Sequence, residues 1–98
     1  MDFQLVYPIG LEQELKAGRA VLIDIRDRAD FRKDHWPGAV NYSYDEIEKG
    51  HVRLPKNRKL VLYCEHGGGS MQLARSLGRQ GYQVATVVGG YEAMKKLK

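Results

Sequence analysis

Apolar residues fall along this chain in short blocks divided by polar and glycine-containing segments. Ala20-Val21-Leu22-Ile23-Asp24-Ile25 and Leu60-Val61-Leu62-Tyr63 are nearly continuous apolar runs, the pattern of parallel strands covered on both faces. Residues 83–88, rich in valine, predict a third strand. Residues 3–7 predict a short first strand, and residues 39–41 a brief one after the Pro37-Gly38 turn. Helical patterns lie between these blocks. Residues 11–17 form one, with Gly18 as its stop. Residues 28–33 supply one or two turns. Ser43-Tyr44-Asp45-Glu46 has the form of a capping box, opening a short helix that runs to about Lys49. A polar connection over 54–57 contains Pro55. Residues 70–80 carry Leu73, Ala74 and Leu77 on one helical face, with Gly81 as the C′ residue. Gly89-Gly90 turns the chain into a last helix over 91–97. Strands alternating with helices of this length predict an α/β domain with a mostly parallel sheet. Ligands of such sheets bind beyond the C-terminal ends of the strands, where Asp24 and Cys64 both fall.

Composition narrows the class. Ninety-eight residues, 43% of them hydrophobic, suit one globular domain over 1–98. No stretch has the length or apolarity of a membrane span, and no basic-then-apolar leader opens the chain. One cysteine excludes an internal disulfide, so a cytoplasmic location is the expectation. The net charge of +4 is uneven: residues 1–50 hold ten acids and seven Lys/Arg, residues 51–98 two acids and nine Lys/Arg. The half with Cys64 is the basic one and favours an anionic partner. The basic residues are scattered, without interleaved aromatics, which argues against nucleic acid.

The candidate chemistry lies in Cys64-Glu65-His66-Gly67-Gly68-Gly69-Ser70. Three glycines predict a tight loop, and Ser70 the N-cap of the following helix. The N–H groups of residues 65–70 can turn inward as a nest around the sulfur. The helix dipole adds positive potential at the same point. Both favour a thiolate, making Cys64 the candidate nucleophile and Glu65, His66, Gly67, Gly68, Gly69 and Ser70 the candidate substrate cradle. Such a cradle suits the oxygens of a thiosulfonate, phosphate or arsenate, or the outer sulfur of a persulfide. A Glu65 carboxylate beside the sulfur opposes a second negative charge, so it is expected to point outward or pair with His66. Asp24 and Arg26 are expected to support the neighbouring loops. His66 has the place of an exposed loop residue, His35 of a structural one, and Trp36 of a core or pocket-rim residue. No spacing of His, Cys and carboxylates makes a metal site, and no cofactor is expected.

Three motifs resemble those of single-domain rhodaneses over almost the whole chain. They are Leu22-Ile23-Asp24-Ile25-Arg26 followed by Phe31; His35-Trp36-Pro37-Gly38-Ala39-Val40-Asn41; and Tyr63-Cys64 with its glycine loop and Ser70, then Gly81-Tyr82 and Gly89-Gly90-Tyr91. The resemblance implies a rhodanese-like α/β fold, a five-stranded mostly parallel sheet with helices on both faces. It also implies a sulfurtransferase that moves sulfane sulfur from thiosulfate or a persulfide to cyanide or a thiol, a protein thiol included, through a Cys64 persulfide. Many active members carry an arginine five residues after the cysteine, where this chain has Gly69. That departure predicts weak thiosulfate binding, with backbone amides as the main ligands. A non-catalytic binding or sulfur-carrier module is the alternative. A phosphatase or arsenate reductase of the same fold fits less well, because its arginine six residues on is here Ser70.

Overall fold

A computed structural model describes residues 2–97. Five strands form one sheet in the order β1 (Gln4–Val6), β5 (Val84–Val87), β4 (Leu60–Tyr63), β2 (Val21–Asp24) and β3 (Val40–Asn41). Every pairing is parallel. The helices are α1 (Leu11–Gly18), α2 (Arg28–Lys33), α3 (Tyr44–Glu48), α4 (Gly68–Arg79) and α5 (Gly90–Lys95).

Strand alternation divides the core into two layers. Ile23, Leu60, Leu62 and Val84 face one side, where Ile47 of α3 and Leu73, Ala74 and Leu77 of α4 cover them. Leu22, Val61, Tyr63, Ala85 and Val87 face the other, against Leu11 of α1 and Tyr91 and Met94 of α5. Helices therefore cover both faces, which is why β4 is buried at all four positions. From β2 the chain steps outward to β3, then back across the sheet to β4. This reversal of strand order opens a crevice beyond the carboxyl ends of β2 and β4.

The capping box forms as predicted: Ser43 Oγ accepts from Glu46 N, and Glu46 Oε1 accepts from Ser43 N. That backbone hydrogen bond, with the Ser43 hydroxyl, holds the Glu46 carboxyl below the ordinary carboxylate range. Gly81, at φ +95°, follows α4 as the predicted terminator. Two local expectations are corrected. Gly18 is the last residue of α1, and the left-handed residue ending the helix is Arg19, at φ 50°. Arg58 holds that turn by donating from Nε to Arg19 O at 2.8 Å. A 3-10 turn over Pro8–Gly10 joins β1 to α1. Helix α4 starts at Gly68, two residues before the expected Ser70, so two of the loop glycines are helical.

Candidate active site

Cys64 follows the last residue of β4, at the carboxyl end of the strand, and is partly buried. The backbone turns over its sulfur at once. Gly67 N donates to Sγ at 3.0 Å and Ser70 N at 3.4 Å. Gly67 is the N-cap of α4, at φ 106°. A Cβ there would stand 3.2 Å from Gly89 N, a tight contact, and the positive φ itself favours glycine. The cradle is thus the first turn of a twelve-residue helix, with its free amides and its dipole directed at the sulfur.

Ser70 is the third residue of α4 and is fully buried, which explains why it is not the N-cap. Its hydroxyl donates to Gly67 O at 3.2 Å and lies 2.6 Å from Thr86 Oγ1. It also accepts from the Cys64 thiol at 3.4 Å. The serine therefore braces the turn from inside and presents both amide and hydroxyl to the sulfur. Thr86 was not anticipated from the sequence; its signal is a single polar residue inside the Val84–Val87 strand.

A second clamp comes from the start of α5. Tyr91 N donates to Cys64 O at 2.7 Å, and Glu92 N to Glu65 O at 3.1 Å. The approach is so close that a Cβ on Gly90 would lie 2.5 Å from Cys64 O. The Gly89-Gly90 pair thus belongs to the architecture of the cysteine turn. Gly69 differs: a Cβ there would meet only ordinary contacts, 3.8 Å from Tyr44 Cδ2 and 4.0 Å from Cys64 Sγ. Tyr44, also unanticipated, stands beside the cradle. Gly68 and His66 are exposed, and neither is hydrogen-bonded to the sulfur.

Beside the cradle, beyond β2, Asp24 and Arg26 form a buried ion pair. Asp24 accepts from Arg26 N at 2.9 Å, from Nε at 3.1 and 3.2 Å, and from Nη2 at 2.8 Å. Arg26 Nη2 also donates to Asp34 O at 2.7 Å. Its guanidinium carbon lies 4.3 Å from the centre of the Tyr91 ring. Burial alone would lower the arginine pKa; the hydrogen bond and charge of Asp24 outweigh it and raise the pKa above the usual value. Burial pushes the Tyr63 hydroxyl well above the ordinary tyrosine value. Tyr63 therefore keeps its proton and accepts from Trp36 N at 3.1 Å.

The remaining Arg26 nitrogen, Nη1, donates to Glu65 Oε1 at 3.1 Å. Glu65 is thus paired with Arg26, and the expected partner His66 is corrected. The reason is geometric: β2 and β4 are neighbours in register, with Asp24 opposite Tyr63, so the residues just past the two strand ends meet. His35 is structural, as expected: it stacks on Phe31 with ring centres 3.8 Å apart, its Nδ1 2.8 Å from Phe31 O. Trp36 packs against the layer containing Tyr63, away from the cysteine cradle. Among the described residues no group of three or more His, Cys, Asp and Glu is placed to hold a metal ion. No helix among them is long and apolar enough to cross a membrane.

An all-parallel α/β sheet with a thiol set in backbone amides at its switch point defines a class of cysteine-loop α/β domains. Residues 8–97 match the family model described as the rhodanese-like domain, and the chain belongs to that family. Its relatives include the thiosulfate sulfurtransferase GlpE of Pseudomonas savastanoi, 35% identical over 81 residues, covering 82% of this chain and 76% of that protein. The tRNA sulfurtransferase of Desulfurococcus amylolyticus is 32% identical over 83 residues. The match takes in 83% of this chain but spans only 16% of that longer protein. Among solved structures, a rhodanese homologue from Thermus thermophilus aligns with a TM-score of 0.77 at 32% identity, covering 92% of this chain and 99% of that one. A rhodanese-related protein from Thermoplasma volcanium aligns at 0.87 with 19% identity over 97% of this chain and 93% of that one, a likeness of fold alone. The family is thus one of sulfurtransferases.

Proposed function

We propose that residues 1–98 act as a single domain that transfers sulfane sulfur through a persulfide on Cys64. The observation that carries this reading is the pair of amides, Gly67 N and Ser70 N, directed at Sγ from 3.0 and 3.4 Å. In the first step the Cys64 thiolate attacks the outer sulfur of thiosulfate or of a small persulfide. With thiosulfate, a new S–S bond forms, the donor's S–S bond breaks, and sulfite leaves with the bonding electron pair. The donor's outer sulfur is now the terminal atom of the Cys64 persulfide and carries the negative charge into the cradle of residues 65–70. There, amide donors and the α4 dipole offset that charge. In the second step a thiolate or cyanide attacks the outer sulfur and leaves with it, returning the electron pair to Cys64. The Ser70 hydroxyl, which accepts from the thiol, is placed to turn and donate to the thiolate.

Asp24 and Arg26 act as supports, holding the turn through Glu65 without touching the reacting sulfur. No cation of the loop itself reaches the cradle, since position 69 is glycine. This favours persulfide donors and protein thiol acceptors over thiosulfate. The same observation favours a second reading, a carrier that holds the persulfide with little turnover. A reducing compartment such as the cytoplasm suits a free nucleophilic thiol.

Intact mass spectrometry after incubation with thiosulfate, and separately with a small-molecule persulfide, tests the proposal. The expected result is the gain of one sulfur atom in the wild type and none in Cys64→Ser. No gain with either donor would overturn it.

A further inference from the structure

Several charged side chains beside the cradle take no part in the transfer steps above. Glu65 directly follows the nucleophile, and its carboxylate is fixed by Arg26 Nη1 at 3.1 Å. Glu92 lies alongside, its backbone N–H on Glu65 O at 3.1 Å and its carboxylate 3.2 Å from Lys95 Nζ. Arg26 is already matched by the buried Asp24 at 2.8 Å. The group therefore holds three carboxylates against two cations. Only Glu65, Glu92 and Lys95 of these face solvent, with side chains 39%, 47% and 41% exposed. Glu92, exposed and paired with Lys95, is charged at neutral pH.

We propose that Glu65 and Glu92 form a negatively charged lip beside the Cys64 cradle that selects against dianionic sulfur donors and favours donors of lower charge. The inference deepens the sulfurtransferase reading, on which its donor arm rests. The second half of the chain is basic overall, yet both of its two acids are in this lip. A full charge roughly 10 Å away across water changes the approach of a monoanion by about twofold, and that of a dianion by the square of that, about fourfold. Thiosulfate and an aryl thiosulfonate present the same outer sulfur with two charges and one, so they separate charge from chemistry.

Two readouts on Glu92→Gln test this at pH 8 and low ionic strength. The first needs no sulfur transfer: the rates at which iodoacetate and the neutral, near-isosteric iodoacetamide alkylate Cys64. Their ratio cancels the nucleophile's own reactivity and reports the local potential. Glu92→Gln should raise the iodoacetate-to-iodoacetamide ratio about twofold and Lys95→Gln should lower it by a similar factor. Both shifts should collapse near 1 M salt, where the screening length is about 3 Å. The second readout is the KM of Glu92→Gln, expected to fall about fourfold for thiosulfate and about twofold for the thiosulfonate, with kcat unchanged. An unaltered alkylation ratio overturns the lip, even if thiosulfate is turned over. Equal KM changes for the two donors overturn its role in donor selection. A shifted ratio in a protein whose Cys64 gains no sulfur supports the lip and overturns the sulfur-transfer reading alone.

Discussion

Asp24 and Cys64 stand at the ends of neighbouring strands, yet the turns that follow them are made of opposite materials. After β2 the turn is built from side chains: a buried carboxylate and a buried guanidinium are joined by three hydrogen bonds, and the Arg26 amide adds a fourth to the carboxylate. After β4 it is built from backbone: two amides converge on a sulfur, and glycines make the approach possible. A saturated ion pair has nothing left to offer a ligand, so the β2 turn is structural. An amide cradle around one soft, partly buried atom has capacity to spare, so the β4 turn is where chemistry can occur. Arg26 and Glu65 join the two, and through them the rigid turn holds the reactive one in place.

Breaking the side-chain turn should have a large effect on stability. Asp24→Asn leaves the Arg26 guanidinium, 7% exposed, with only the half-exposed Glu65 as counter-charge, at a cost of about 3 kcal/mol by chemical denaturation. A loss below about 1 kcal/mol would mean that the pair is not holding the two turns together. The backbone turn should break next. Gly90→Ala meets Cys64 O at 2.5 Å from a left-handed backbone and should cost about 3 kcal/mol. Its sulfur loading should fall further than stability alone explains. Thr86→Val removes one partner of the buried Ser70 hydroxyl and should cost about 1 kcal/mol. It should slow persulfide formation, measured by single-turnover mass spectrometry, while leaving the Asp24–Arg26 turn unchanged. Gly69→Arg should have the smallest effect on stability, within about 1 kcal/mol, because Gly69 has room for a side chain and a helical backbone. It should nevertheless lower the KM for thiosulfate by giving the backbone cradle a side-chain cation. No change in KM would show that the missing charge is not what limits thiosulfate binding.

Much of this division was legible along the chain. The apolar runs ending at Asp24 and Tyr63 identified the two central strands, because burial on both faces leaves no alternation to misread. Ser43 and Glu46 announced α3 because a capping box is wholly local. The cysteine loop was recognisable from Cys64 and the glycines beside it. What escaped was non-local. Glu65 pairs with a residue 39 positions away, and only the register of β2 on β4 brings them together. The start of α4 was placed at Ser70 because three glycines signal a loop. Gly67 becomes the N-cap instead, in a left-handed conformation that glycine alone adopts without strain. Thr86 lay hidden in a strand whose other residues are apolar, and its role depends on Ser70 facing it from α4. Arg19 follows Gly18 as the left-handed residue that ends the helix, and Arg58 secures its carbonyl.

The most direct test of the account is a crystal structure of the protein after loading with a persulfide donor. The account predicts an added atom on Cys64 Sγ, with the outer sulfur held by amides of residues 65–70 and Arg26 still bound to Asp24 and Glu65. An unmodified Cys64, or an outer sulfur held by an Arg26 side chain swung away from Asp24, would contradict it.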